Sequence, residues 1–390
     1  MTDTVNPFVE STERQELRKA VQALGAKYGA PYFRDCAKNG KKTDELWKEA
    51  GELGFIGVNL PEEYGGGGAG MYELAIVMEE LAASGTGLLM LVVSPAICGN
   101  IIARFGTEEQ KRDWLPGLAD GTRTMAFGIT EPDAGSNSHM ITTTARRDGD
   151  DWILSGQKVF ISGVDQAEAV LIVSRTEDAK TGRLKPVLFI VPTDAEGFTA
   201  QQIDMELMNP EKQFTLFFDD VRLPSHALVG QEDAALSQLF AGLNPERIMA
   251  TASAVGTARY ALGRAVEYAS DRTVWKAPIG THQGIAHPLA QIKIELEAAK
   301  LLLQKAATLY DAGDDWGAAE PANMGKYLAA ETAVKAVDQA VHTLGGNGLT
   351  SEYGIAPMLG LVRIMRIAPV SREMILNFVA QTSLGLPKSY

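Results

Sequence analysis

The chain has 390 residues, 45% of them hydrophobic, and carries a net charge of −13 with no basic tail. That length allows about two or three domains, and the acidic balance excludes a general nucleic-acid binder, which carries a basic patch. Two cysteines, Cys36 and Cys98, lack metal-type spacing and exclude a disulfide framework, so no metal site and a reducing compartment are expected.

The first 18 residues lack the basic-then-apolar order of a signal peptide. No apolar run reaches the roughly 20 residues a bilayer span needs, so a soluble, cytoplasmic protein without stable membrane insertion is expected.

Residues 1–120 read as helical. Thr43-Asp44-Glu45-Leu46-Trp47 opens one amphipathic helix and Met71 to Ala83 forms another. The loop between them, Leu60-Pro61-Glu62-Glu63-Tyr64 and four glycines, is punctuated by proline and glycine.

Residues 121–232 read as strands. Met125, Phe127 and Ile129 alternate as in a half-buried strand ending at Thr130. Asp148-Gly149 marks a hairpin between 142–147 and 152–154. Further β-rich runs are 169–174, 186–191 and 214–221.

Residues 233–390 return to helix. Leu289, Ile292, Leu296, Leu303, Ala306 and Tyr310 make one stripe, and Val334, Val337, Val341 and Leu344 another, stopped by Gly345-Gly346. The order of helices, strands and helices predicts two helical layers around a small β domain.

Two segments carry chemistry. Ile129-Thr130-Glu131-Pro132-Asp133-Ala134-Gly135-Ser136 presents hydroxyls and backbone N–H groups around a glycine that admits a ligand. Gly156-Gln157-Lys158-Val159-Phe160-Ile161-Ser162 follows with an aromatic and a hydroxyl. Each alone reads as ordinary turn chemistry.

Together they resemble the β domain of acyl-CoA dehydrogenases, with its T-E-P-x-A-G-S turn. Leu60-Pro61-Glu62-Glu63-Tyr64-Gly65-Gly66, Gly106-Thr107-Glu108-Glu109-Gln110-Lys111 and Leu344-Gly345-Gly346-Asn347-Gly348-Leu349 match the family in order. The resemblance covers nearly the whole chain and implies an α+β multidomain fold: an N-terminal helical domain, a central antiparallel β domain, and a C-terminal domain like a four-helix bundle.

The resemblance implies FAD, with the protein supplying orientation and electrostatics. Phe127, Ile129 and Thr130 would line the isoalloxazine ring. Gly135 and Ser136 would lie near flavin or acyl-CoA groups, and Phe160 and Ser162 would cover and hydrogen-bond the ring. Arg272-Thr273-Val274-Trp275 with His282-Gln283 is similar to the family's R-x-x-F-G…H-Q segment, whose arginine and glutamine reach the FAD of a neighbouring subunit. Trp275 and Lys276 replace its Phe-Gly. His342 stands where the family often has glutamine, Gly345 and Gly346 fall in its Gly-rich segment, and Ser371 keeps a hydroxyl where its threonine contacts FAD. Gly360-Leu361 replaces its usual Arg-Asp pair.

Removing the α-proton of a thioester requires a carboxylate whose basicity burial raises. The family's Y-E-G-T segment corresponds to residues 367–373, where Pro369 takes the glutamate position. A second family pattern places the base in a Glu-Arg pair on a central helix, matched by Glu246 and Arg247. Glu246 is therefore the expected base, although Pro245-Glu246-Arg247 alone reads as an acidic helix start. Arg247, Ser136 and Pro369 would face the substrate. Proline lacks the backbone N–H expected to bind the thioester carbonyl, a loss that can cost about 3 kcal/mol. Glu373, near the right segment, would lie with Ser371 among the FAD-binding residues and is the fallback base.

The implied reaction is α,β-dehydrogenation of an acyl-CoA to the trans-2-enoyl-CoA, with an electron-transfer flavoprotein as acceptor. A homotetramer follows from the family's cross-subunit FAD contacts. Two alternatives stay open: a non-catalytic partner subunit, and an oxidase using oxygen on the same fold.

Overall fold

The computed structural model describes residues 9–178, 181–232 and 235–388. The first part of the segment read for a signal peptide, and the residues just after the 232 boundary, lie outside the described residues.

The chain runs helix, sheet, helix as expected. The first part comprises α1 (Thr12–Lys38), α2 (Asp44–Glu52), α3 (Met71–Ala83), α4 (Leu89–Leu91), a π-helix (Val92–Gly99), α5 (Asn100–Phe105) and α6 (Glu108–Asp120). Thr107 and Gln110 form a capping box at the start of α6, pairing N–H groups that the helix itself leaves unbonded.

The middle part holds β1 (Met125–Gly128), β2 (Thr144–Asp148), β3 (Asp151–Ser162), β4 (Ala169–Glu177), β5 (Leu184–Pro192), β6 (Phe198–Ile203), β7 (Gln213–Leu223) and β8 (Leu228–Val229). Their order is β6-β7-β3-β2-β4-β5-β8, antiparallel along most of its length, with β1 added in parallel to β4. The Asp148-Gly149 turn joins β2 to β3, pairing Asp148 with Asp151 while Gly149 takes φ +66°.

β1 departs from the alternating expectation. All four of its residues are buried, and Ile129 and Thr130 lie beyond its end. The π-helix packs against it: Met125 donates its N–H to Ser94 Oγ at 3.2 Å, and the Cys98 thiol faces the Ala126 carbonyl at 3.5 Å. A strand covered on both faces has no reason to alternate. β6 and β8 carry no apolar alternation and were not legible in the sequence.

The last part is built from α7 (Ala235–Asp271), a hairpin of β9 (Thr273–Val274) and β10 (Ala277–Pro278), α8 (Gln283–Asp311), α9 (Asp315–Leu344), α10 (Met358–Ile367) and α11 (Arg372–Phe378). Both predicted stripes are there: Leu289, Ile292, Leu296, Leu303 and Ala306 are buried on α8, and Val334, Val337 and Leu344 on α9. Asp311, at the end of α8, accepts the N–H groups of Met71 and Tyr72 at 2.7 and 3.0 Å. A carboxylate there satisfies the open N-terminus of α3 and fastens the two helical parts together.

Pro245 does not open a helix as the sequence suggested; it lies inside α7. A proline there cannot donate to the carbonyl four residues back. That carbonyl, on Ala241, instead accepts from the Tyr310 hydroxyl at 3.2 Å. Asn244 adds a bond to the Asp315 carbonyl at 2.7 Å. Contacts from neighbouring segments therefore hold α7 through the proline, and Glu246 sits mid-helix.

Candidate active site

Glu246 is partly buried, on the α7 segment that packs near the π-helix. Burial pushes its carboxyl up to about 7, against the opposing pull of Arg247 and Lys326. The Glu246 charge also reaches the buried Cys98 thiol, which burial pushes upward. Cys98 in turn faces the Ala126 carbonyl of β1, the strand leading into the Thr130 turn.

Arg247 donates through Nε to Asn323 Oδ1 at 3.1 Å and through Nη1 to the Leu243 carbonyl at 2.8 Å. These bonds tie α7 to α9 and direct much of the guanidinium into the helix pair. Glu373 is exposed in the first turn of α11, with Arg372 Nε 3.3 Å from its carboxylate. Glu373 is thus solvated and ion-paired, whereas Glu246 is the carboxylate that burial raises, which makes Glu246 the stronger candidate.

Strand pairing assembles the turn residues. Lys158 is fully buried, and its ammonium lies 2.8 Å from Glu131 Oε1 and 3.0 Å from the Ile129 carbonyl. Glu131 also accepts from the backbone N–H groups of Thr142 and Thr143. These contacts hold its carboxyl at about 2 despite burial. Val159 N–H donates to the Thr130 carbonyl at 2.9 Å, placing the turn beside β3.

Opposite that turn, β3 bulges between Lys158 and Ile161. Phe160 takes a left-handed φ of +57° and is 57% exposed. A bulky aromatic avoids this backbone region unless its surroundings impose it. Ser162, partly buried, exchanges hydrogen bonds with the Gln213 amide at 2.9–3.1 Å. Gly135 and Ser136 are exposed, and a Cβ on Gly135 would meet nothing within 4 Å. Phe127 is buried in β1, while Ile129 and Thr130 are partly open. An exposed ring beside hydroxyls and an open glycine turn fits a planar, polar-edged cofactor.

The second predicted group lies elsewhere in the chain. Arg272, Trp275 and Gln283 are all exposed around the β9–β10 hairpin. Trp275 and Lys276 form its two-residue turn with φ +48° and +68°, the primed geometry that antiparallel pairing favours. The departure from Phe-Gly thus keeps the turn, with Lys276 taking a backbone region usually left to glycine. His342 is exposed near the end of α9, and Gly345 caps that helix with φ +60°. Asn347 donates to the Tyr268 hydroxyl at 3.0 Å, holding the Gly345-Gly346 segment against α7.

Pro369 follows a cis peptide bond in the strap between α10 and α11, and Ser371 caps α11 by accepting the Met374 N–H. Sequence reasoning missed Lys326, whose ammonium donates to the Val370 carbonyl at 2.6 Å. The available signal was a lysine on the alanine-lined face of α9. It also missed Gln213 as the partner of Ser162, which only the β3–β7 register reveals.

No helix among the described residues is long and apolar enough to cross a membrane. No cluster of metal-ligating side chains occurs among the described residues.

Three family models match in series: the acyl-CoA dehydrogenase N-terminal domain over residues 11–122, its middle domain over 126–221 and its C-terminal domain over 236–384. The acyl-CoA dehydrogenase FadE12 of Mycobacterium tuberculosis is 70% identical over the full length of both chains. The solved glutaryl-coenzyme A dehydrogenase in complex with glutaryl-CoA superposes with a TM-score of 0.93 at 30% identity, covering 98% of each chain. A glutaryl-CoA dehydrogenase of Mycobacterium smegmatis in complex with FADH2 gives a TM-score of 0.90 at 29% identity, covering 100% of this chain and 98% of its own. With this fold and these matches along its length, the chain belongs to the acyl-CoA dehydrogenase family and is an FAD-dependent acyl-CoA dehydrogenase.

Proposed function

We propose that the chain removes the α-proton of an acyl-CoA thioester with Glu246, yielding the trans-2-enoyl-CoA. The observation that carries this reading is the setting of Glu246: a mid-helix carboxylate, partly buried, raised to about 7 by desolvation. A base with a pKa near the working pH combines useful ionisation with useful basicity. That setting also favours a catalytic chain over a non-catalytic partner subunit.

Bound FAD supplies the hydride acceptor. Ile129, Thr130, Phe160 and Ser162 would hold its ring, with Phe127 buried in β1 two residues before Ile129. Gly135 and Ser136 leave room at the turn for cofactor or substrate. Glu246 takes the proton and becomes neutral, which its buried setting favours. Arg247 steadies α7 against α9, and Pro369, in the strap between α10 and α11, would face the substrate. Pro369 offers no N–H to the thioester carbonyl, so that bond falls to other groups.

The exposed Arg272, Trp275, Gln283 and His342, with Gly345 and Gly346, are suited to the FAD of a neighbouring copy, in a homotetramer. An electron-transfer flavoprotein is the proposed acceptor, and a cytoplasmic location the proposed setting.

The test is anaerobic mixing of the purified flavoprotein with a panel of acyl-CoAs. Flavin bleaching, with a product lighter by two hydrogens, supports the reading. A fully loaded flavin that no acyl-CoA bleaches would count against it. Reoxidation of the bleached protein in air at catalytic speed would replace the dehydrogenase reading with an oxidase.

A further inference from the structure

Lys326 lies on a face of α9 whose neighbours Ala322, Ala329 and Ala333 are all buried, and it is itself 2% exposed. A buried ammonium is costly without partners. Its hydrogen-bond acceptor is the Val370 carbonyl, at 2.6 Å, in the strap between α10 and α11. The charged groups in its field are Glu246 and Arg247 on α7, Glu331 on α9 and Glu373 on α11. Glu331 on α9 also holds the helices on either side of the strap, pairing with Arg366 of α10 at 2.5 Å and Arg372 of α11 at 3.3 Å.

Fixing the Val370 carbonyl fixes the plane of the peptide that follows. Its N–H, on Ser371, points the opposite way. One ammonium therefore orients the strap that carries Pro369 and lies in the field of the proposed base. The charges that act on Glu246 are Arg247 on its own helix and Lys326 on α9, and its own charge reaches Cys98 on the π-helix. Arg247 is bonded to Asn323 and Leu243; Lys326 is the cation that also touches the strap.

We propose that Lys326 is a positioning residue that, through the Val370 carbonyl, sets the 368–371 strap for α-proton removal. The inference rests on Glu246 being the base. It assigns Lys326 no proton transfer of its own.

The test compares Lys326→Gln and Lys326→Arg with wild type, each checked for FAD content. Three quantities are read: the pH profile of anaerobic flavin reduction, exchange of the ligand's α-protons in deuterium oxide, and acyl-CoA affinity by calorimetry. Loss of a nearby cation raises a carboxylate's pKa. The Gln variant should therefore move the acid limb up by about one pH unit and slow reduction several-fold at pH 7. It should also weaken acyl-CoA binding, and the Arg variant should restore the limb. Glu331→Gln should weaken binding through the strap while leaving the limb in place.

Unchanged flavin reduction and acyl-CoA binding in the Gln variant overturn the proposal, as does equal damage from Gln and Arg. If Lys326→Gln loses FAD, Lys326→Met takes its place; loss of FAD in both shows a purely structural lysine and also overturns it. Glu246→Gln separates the two ideas. Continued α-proton exchange in that variant refutes the base assignment, whatever Lys326 does.

Discussion

The Tyr310 hydroxyl donates to the Ala241 carbonyl at 3.2 Å, replacing the backbone bond that Pro245 cannot make. The residue after that proline is Glu246, so the aim of the proposed base depends on a side chain from α8. Tyr310→Phe leaves a buried carbonyl unpaired and should cost about 1 kcal/mol of stability. In a Pro245→Ala background the backbone N–H returns, and the same change should cost less. Denaturant unfolding of the double-mutant cycle measures the difference; equal costs in both backgrounds would show that the two residues are not coupled.

The pH dependence of kcat/KM for an acyl-CoA should show an acid limb near 7. As the proposed base Glu246 would act ionised, and burial raises its carboxyl to about 7, so activity should rise with pH through that value. The same burial makes the ionised form unfavourable in the folded state. Its folded pKa lies above the ordinary 4.5, so the associated stability is present below 4.5 and is lost as pH rises through about 7. Glu246→Gln should therefore raise the melting temperature more at pH 8 than at pH 4. A gain of equal size at both would contradict the assigned shift.

Lys158 and Glu131 form a buried pair that holds the Thr130 turn. Lys158→Met leaves Glu131 without its ammonium and should cost about 3 kcal/mol, whereas the double change Glu131→Gln/Lys158→Met should cost less. Because the Glu131 carboxyl is depressed to about 2 from 4.5, its stabilising contribution is present above 4.5 and is lost as pH falls toward 2. Acid-induced melting of the single and double variants checks both statements.

The layered order of helix, sheet and helix was legible because the stripes on α8 and α9 and the Asp148-Gly149 hairpin are local patterns. Phe160 and Ser162 were named as candidates through the family motif around them. The rest was not local. β1 reads as half-buried until the π-helix covers it, and Pro245 reads as a helix start until Tyr310 supplies its missing bond. Lys326 carries no motif of its own; its meaning comes from Val370, which only the folding of α10 and α11 brings beside it.

Phe160 offers a way to separate backbone strain from cofactor contact. Phe160→Gly relieves the left-handed backbone and removes the ring. The FAD-free protein should be no less stable, while FAD retention should fall several-fold. Thermal melting without cofactor and flavin release on dilution report the two effects separately. Unchanged FAD retention would remove Phe160 from the flavin site.

The most direct test of the central claim is anaerobic bleaching by acyl-CoA in wild type and Glu246→Gln side by side. The variant is first shown to hold FAD and to bind the ligand. The account predicts that the wild type bleaches, and that the variant binds the same acyl-CoA without bleaching. Bleaching of the variant at a rate near that of the wild type would contradict it and move the base to another residue.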